Sequence, residues 1–304
     1  MATATLAVAA VIADWLLGEP RRWHPLVGFG RLAERIEQAL HRGSGASPLA
    51  HRSLGLLAVV ASILPLTLLA ALVTGPAGSG DLTGLLLLYF ALGHRSLHQH
   101  ALRVMHAAQR GDDADARRCA GLMVSRDPEA MDVAAATIES VLENASDGVF
   151  ATLFWFVVAG AAGAVLHRLS NTLDATWGYR NERYLHFGWA AARLDDLLNF
   201  VPARLTALTF ALSGQTRQAL ACWRVQACCW ASPNAGAVMA AGAGALGLRL
   251  GGPARYHGAW HPRPVLGCDS RPTTRDIERA LGLVQRGVWL WLAVLVLIGM
   301  ATDA

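Results

Sequence analysis

From Leu54 to Val73 the chain runs for about twenty residues without a charge, the length a helix needs to cross the hydrocarbon core of a bilayer. Pro65 falls inside this run and at most kinks it. Backbone polar groups at that depth must be satisfied within the segment, which leaves a helix as the fitting solution. Other apolar stretches follow the same logic: residues 4–17, Leu82 to Gly93, Val149 to Leu166, Val201 to Leu212 and Val288 to Met300. Residues 4–17 read as a retained first membrane helix, because no basic stretch precedes them and Asp14 interrupts the run. The chain is 16% charged, where soluble domains are about 25% charged, and its mean hydropathy is +0.35. The expected fold is all-α: a polytopic integral membrane helical bundle with broken or re-entrant segments and amphipathic cytoplasmic helices. One membrane domain covers 1–304, with a polar catalytic core at about 139–204 and a basic cytoplasmic helical region at about 94–147.

All 26 basic residues are arginine. Without lysine there is no lysine Schiff base and no phosphate-binding loop of the GxxxxGK[ST] type. Any phosphate held by a side-chain cation is held by arginine, whose planar fork suits bidentate contacts. The net charge of +4 is modest and dispersed, so no nucleic-acid partner is expected. Cys119, Cys222, Cys228, Cys229 and Cys268 form no CxxC pair and read as small core fillers. His94, His98, His100 and His106 have no accompanying carboxylate and are interleaved with arginine; a solvated or headgroup-facing surface is expected.

Polar residues crowd two stretches that flank Val149 to Leu166. In the first, Asp127-Pro128 reads as a helix start. Along that helix Glu139, Glu143 and Asp147 recur at i, i+4, i+8. Like charges at that spacing repel; a divalent cation would offset this, and an ordinary solvated acidic face is the plain alternative. In the second stretch Gly178 should end the helix that carries Asn171 and Asp174. A loop with Arg180, Asn181, Glu182, Arg183 and Tyr184 follows, then a helix with Arg193, Asp195, Asp196 and Asn199, and Arg204 beyond Pro202. Polar groups so dense beside apolar helices face a cavity, a metal or a ligand. For both stretches to meet in one site, Val149 to Leu166 would have to be broken or re-entrant. Farther on, Ser232 to Gly236 opens a helix of very small residues that permits close packing; Gly251-Gly252-Pro253 should end it, and Tyr256 to Arg275 reads as a polar loop.

Several words recur in one order: DWLLGEP at Asp14 to Pro20 with His24-Pro25 after it, ESVLENASDG at Glu139 to Gly148, NTLDATWGYRNERY at Asn171 to Tyr184, FGWAAARLDDLLN at Phe187 to Asn199, PARL from Pro202, SPNAG from Ser232, and AGALGLRLGG from Ala243. In these the chain resembles the cobalamin-biosynthesis family of adenosylcobinamide-phosphate synthases. It departs from the family pattern at Glu19, Leu142 and Arg180, where aspartate, alanine and lysine are usual, and at Val238 and Met239, where many relatives carry proline and an acid.

The resemblance implies a multi-pass enzyme of the bacterial inner membrane with its site facing the cytoplasm. It implies ATP-dependent joining of a carboxylate of adenosylcobyric acid, the corrinoid substrate, to (R)-1-amino-2-propanol or its O-phosphate, with Mg²⁺. Glu139, Glu143, Asp147, Asp174 and Asp195 would share the metal, and Glu182 or Asp196 would take the proton of the attacking amine. Arg180, Arg183, Arg193 and Arg204 would bind phosphate groups. Asn144, Asn171, Asn181, Asn199 and Asn234 would meet substrate amides, with Tyr184, Ser232 and His24 nearby. The bilayer, other cobalamin-assembly membrane enzymes and a second copy of the chain are candidate partners. A membrane transporter and a corrinoid-binding scaffold are the rival classes.

Overall fold

The computed structural model describes residues 2–20, 24–41, 47–75, 82–179, 181–256 and 258–303. Its α-helices, in chain order, are α1 Ala2–Leu17, α2 Pro25–Leu40, α3 Pro48–Thr74, α4 Leu82–Ala91, α5 His94–Gln109, α6 Asp113–Ala120, α7 Val133–Ala145, α8 Ala151–Trp177, α9 Trp189–Ser213, α10 Thr216–Gln226, α11 Pro233–Leu246 and α12 Asp276–Asp303. The all-α expectation holds. Where a loop is expected after α11, four three-residue strands form two antiparallel pairs: β1 Arg249–Gly251 with β4 Val265–Gly267, and β2 Ala254–Tyr256 with β3 Ala259–His261. Strands this short show no alternation that a sequence could reveal.

Among the described residues, three stretches are long and apolar enough to cross a membrane: Pro48–Thr74, Val133–Trp177 and Asp276–Thr302. In α3 the Ser47 side chain caps the start, accepting from Ala50 N at 3.2 Å, and Pro65 lies inside the helix. The second stretch is broken, in keeping with the expectation of broken or re-entrant segments. Ser146–Phe150 is a π turn, and within α8 the backbone leaves helical geometry at Ala159 (φ −135°, ψ 21°) and Gly160 (φ 63°, ψ −160°). Only glycine adopts the Gly160 conformation readily.

The chain packs as two compact units. The first comprises Met1–Gly93, Ala151–Asn199 and Val296–Ala304; the second, His94–Phe150 and Phe200–Leu295. In the first unit α2, α3 and α8 close around Phe29, Val59, Ile63, Leu173, Trp177 and Phe187. In the second, α11 is buried along its length. A Cβ at Gly244 would sit 2.7 Å from the Gln218 carbonyl oxygen of α10, so the small residues serve close packing.

Some boundaries differ from expectation. Asp127 opens only a single 3₁₀ turn and makes no side-chain cap. Asp132 caps α7 instead, accepting from Ala135 N at 3.0 Å. Helix α11 stops at Gly247, in the left-handed region at φ 69°, ahead of the Gly251-Gly252-Pro253 word. His94 begins a helix of its own and is buried, His98 and His100 are half-buried, and only His106 is exposed. Burial and the neighbouring His98 lower the His94 pKa to about 4, so this end of the histidine stretch is core.

Candidate active site

In the first unit, the part of α8 beyond Gly160 and the opening turns of α9 bring four expected residues together. Asn171 and Asp174 stand one turn apart on α8, and Asp195 and Asn199 one turn apart on α9. Asn171 Nδ2 donates to Asp195 Oδ1 at 3.4 Å. Arg168 Nη1 donates to Asn171 Oδ1 at 3.4 Å. His167, fully buried, donates from Nε2 to Asn199 Oδ1 at 3.0 Å. Burial, and then the charge of Asp174, push Asp195 up to about 7. Two carboxylates so placed resist ionising together. The amide oxygens of Asn171 and Asn199 already accept from Arg168 and His167, so the oxygens this cluster could offer a cation are those of the two carboxylates; Mg²⁺ takes one or two protein carboxylates and completes its shell with water and phosphate oxygens. Asp196 lies 3.8 Å from Arg193 Nη1 in an exposed pair on the same helix.

A second centre in this unit is built on Glu37, which is not among the expected residues. Glu37 of α2 is buried and its carboxylate accepts from four donors: Trp177 Nε1 at 3.1 Å, Arg183 Nε at 2.8 Å, Arg183 Nη2 at 2.6 Å and the Tyr184 hydroxyl at 3.0 Å. His41 Nε2 reaches Arg183 O at 2.9 Å. Glu37 thereby ties the loop after α8 to α2. The carboxylate raises the Arg183 pKa; burial, then Glu37, raises that of Tyr184. Expected as ligand contacts, Arg183 and Tyr184 serve first as loop anchors. Asn181 does likewise, its Oδ1 accepting from Tyr184 N at 3.0 Å. Glu182 is exposed. Arg180 lies outside the described residues.

The second unit treats its acids differently. Glu139 is buried and bound by the guanidinium groups of Arg126 and Arg263, while Gly251 N donates to its Oε1 at 3.0 Å. These partners satisfy the carboxylate, and the charge it was expected to offset with a metal is offset by arginine. Burial alone would lower the Arg263 pKa, but Glu139 outweighs it and the shift is upward. Glu143 and Asn144 are exposed, Asp147 half-buried, and Asn144 Nδ2 donates to Ser140 Oγ at 2.8 Å. Among the described residues no group of three His, Cys, Asp or Glu side chains is arranged to hold a metal ion; of the five expected carboxylates, Asp174 and Asp195 pair within the first unit, and Glu139, Glu143 and Asp147 belong to the second. Arg204 and Asn234 do meet, Arg204 Nη1 donating to Asn234 Oδ1 at 2.5 Å. Two expected contacts are caps. Ser232 Oγ accepts from Ala235 N at the start of α11, and His24 Nδ1 from Leu26 N at the start of α2.

Sequence reasoning missed Glu37, Arg126, Arg263 and His167. Glu37 adjoins Ile36 in the apolar stripe of α2, and an acid beside a stripe that must be buried is the one signal available. Its partners, like Arg263 and Gly251 at Glu139, lie more than a hundred residues away, and spacing does not carry such pairings; Arg126 is 13 residues from Glu139, across a turn and a cap that the sequence does not resolve.

Comparisons with known proteins cover nearly the whole chain. The profile of the CobD/Cbib protein family matches residues 7–284. The chain is 60% identical to a protein named cobalamin biosynthesis protein CobD from Stutzerimonas stutzeri A1501, over 95% of each chain. It is 56% identical to the protein of that name from Chromobacterium violaceum, over 98% of this chain and 99% of the other. It is 38% identical to the one from Mycobacterium tuberculosis H37Rv, over 96% of each. No solved structure matches it.

Proposed function

The chain belongs to the CobD/Cbib family, and from that premise we propose that it is a cobalamin-biosynthesis ligase of the bacterial inner membrane. It joins a carboxylate of adenosylcobyric acid to (R)-1-amino-2-propanol or its O-phosphate, at a site open to the cytoplasm. The observation that carries this reading is the carboxylate–amide cluster of Asn171, Asp174, Asp195 and Asn199, built on the half of a broken membrane helix and the helix that follows it.

A carboxylate does not form an amide until one of its oxygens becomes a leaving group. ATP supplies that group, as a phosphate or an adenylate, and Mg²⁺ held by Asp174 and Asp195 supplies charge neutralisation on the phosphate oxygens. The chain's own residues do the rest. Asn171 and Asn199 orient the carboxylate pair and offer hydrogen bonds to the amides of the corrinoid's edge. Arg193, exposed on the same helix, presents its guanidinium group to phosphate oxygens. The amine nitrogen attacks the acyl carbon, and the phosphate or AMP departs with the electrons of the broken C–O bond. Asp196, next to the pair and half-exposed, accepts the amine's proton. Glu182 is the alternative acceptor.

Isotope transfer tests this. With both oxygens of the reacting carboxylate labelled by ¹⁸O, one label should appear in inorganic phosphate for an acyl phosphate, or in AMP for an acyl adenylate. Amide product with no label in either would contradict activation by ATP. A second reading has one observation in its favour: a break inside a spanning stretch, beside a buried polar cluster, is also how transporters build midplane sites. Corrinoid flux into proteoliposomes without chemical change would support it.

A further inference from the structure

The second unit contains a polar cavity of about 230 Å³ that the ligation scheme leaves unused. Four arginines line it, Arg126, Arg249, Arg255 and Arg271, against Asp127 and Asp132. Two are already committed: Arg126 to Glu139, and Arg255, whose Nε is 3.3 Å from Asp127 Oδ2. Asp127 is further fixed by Gly258 N, 2.8 Å from the same oxygen. Arg249 and Arg271 are exposed and form no ion pair among the described residues.

The backbone sets these two side by side. Leu248 and Ser270 form a parallel β-bridge, and Arg249 N donates to Ser270 O at 2.7 Å. Arg249, the first residue of β1, and Arg271 therefore each follow directly after the bridge on adjacent segments. Like charges held on adjacent segments repel, and a dianion between them would remove the repulsion. Arginine forks match the oxygens of a phosphate. Counting Arg263, which shares Glu139 with Arg126, five guanidinium charges stand around three carboxylates, Glu139, Asp127 and Asp132, and the surplus of two matches the charge of a phosphate monoester at neutral pH. The volume lies below the roughly 300–1,000 Å³ of sites for drug-sized ligands, which favours a short organic group over a nucleotide or a corrin.

We infer that this cavity binds a phosphate group through Arg249 and Arg271, carried by a small ester, with Asp132 beside it to meet an ammonium. This rests on the ligation reading only for the identity of the ester, the phosphorylated amino alcohol that reading would consume; the phosphate site stands without it.

The test is calorimetric titration of the full chain in detergent at fixed ionic strength, without ATP or corrinoid. The probes are inorganic phosphate, O-phosphoethanolamine, ethanolamine and ADP. Phosphate and O-phosphoethanolamine should bind one per chain, the ester more tightly, and ethanolamine should not bind. Arg249→Gln and Arg271→Gln should each weaken binding by roughly tenfold or more and together remove it. Arg217→Gln, on an exposed face of α10, should change nothing. Binding of ADP alone, lost in both cavity variants, would keep the phosphate site and assign it to the nucleotide. Affinity unchanged in the double variant, or no binding by folded protein, would overturn the inference. Because turnover is not read, a failed ligation assay leaves the result standing.

Discussion

Asp195 is where charge and chemistry conflict. Burial and Asp174 hold its pKa near 7, above the ordinary value of about 3.9. The fold therefore binds a proton there that the unfolded chain releases. The stability this contributes is full below about pH 4 and is lost as pH rises through about 7. Asp195→Asn escapes that loss. Relative to the wild type, its melting temperature should improve between pH 5 and pH 8, while turnover falls about 100-fold or more. A stability difference constant with pH would contradict the shift. Mg²⁺ competes with the same proton, so its affinity should rise from pH 6 to pH 8 with proton release on binding, read by titration in two buffers of different ionisation heat. The sequence marked Asp195 by its dense polar surroundings. It did not mark Glu139 as different from Glu143: the i, i+4 pattern looks the same, yet one is buried between two arginines and the other is exposed.

Loops and breaks in the helices make the site, and they were legible to different degrees. A break within Val149 to Leu166 was one way for the polar words on both sides to meet, which the sequence left open; the backbone shows a break at Ala159–Gly160. Gly160→Ala should cost about 1–3 kcal/mol, the strain of an L-residue in that region, measured by thermal or denaturant unfolding. An unchanged stability would mean that the break tolerates a side chain. The anchoring of the Asn181–Tyr184 segment was illegible, because Glu37 and its four donors lie far apart in the chain. Glu37→Gln should weaken that anchor by about 1–3 kcal/mol. The expected readout is faster tryptic cleavage after Arg183, with the rest of the chain cut no faster. Equal cleavage rates would assign the loop's order to other contacts.

For the molecule as a whole, composition and apolar runs announced an all-α membrane protein, and the family words announced its lineage. Neither contained the division into two units, because each unit is assembled from distant segments. Neither contained the paired strands, because three-residue strands carry no period. The central claim concerns what this assembly does to a corrinoid. The most direct measurement gives the purified, detergent-solubilised chain adenosylcobyric acid, aminopropanol phosphate and Mg²⁺, with and without ATP, and reads corrinoid mass. Amide ligation predicts a mass gain of one condensation that requires ATP and is lost in Asp195→Asn. Folded protein that binds the corrinoid and returns it unchanged in the presence of ATP would contradict it.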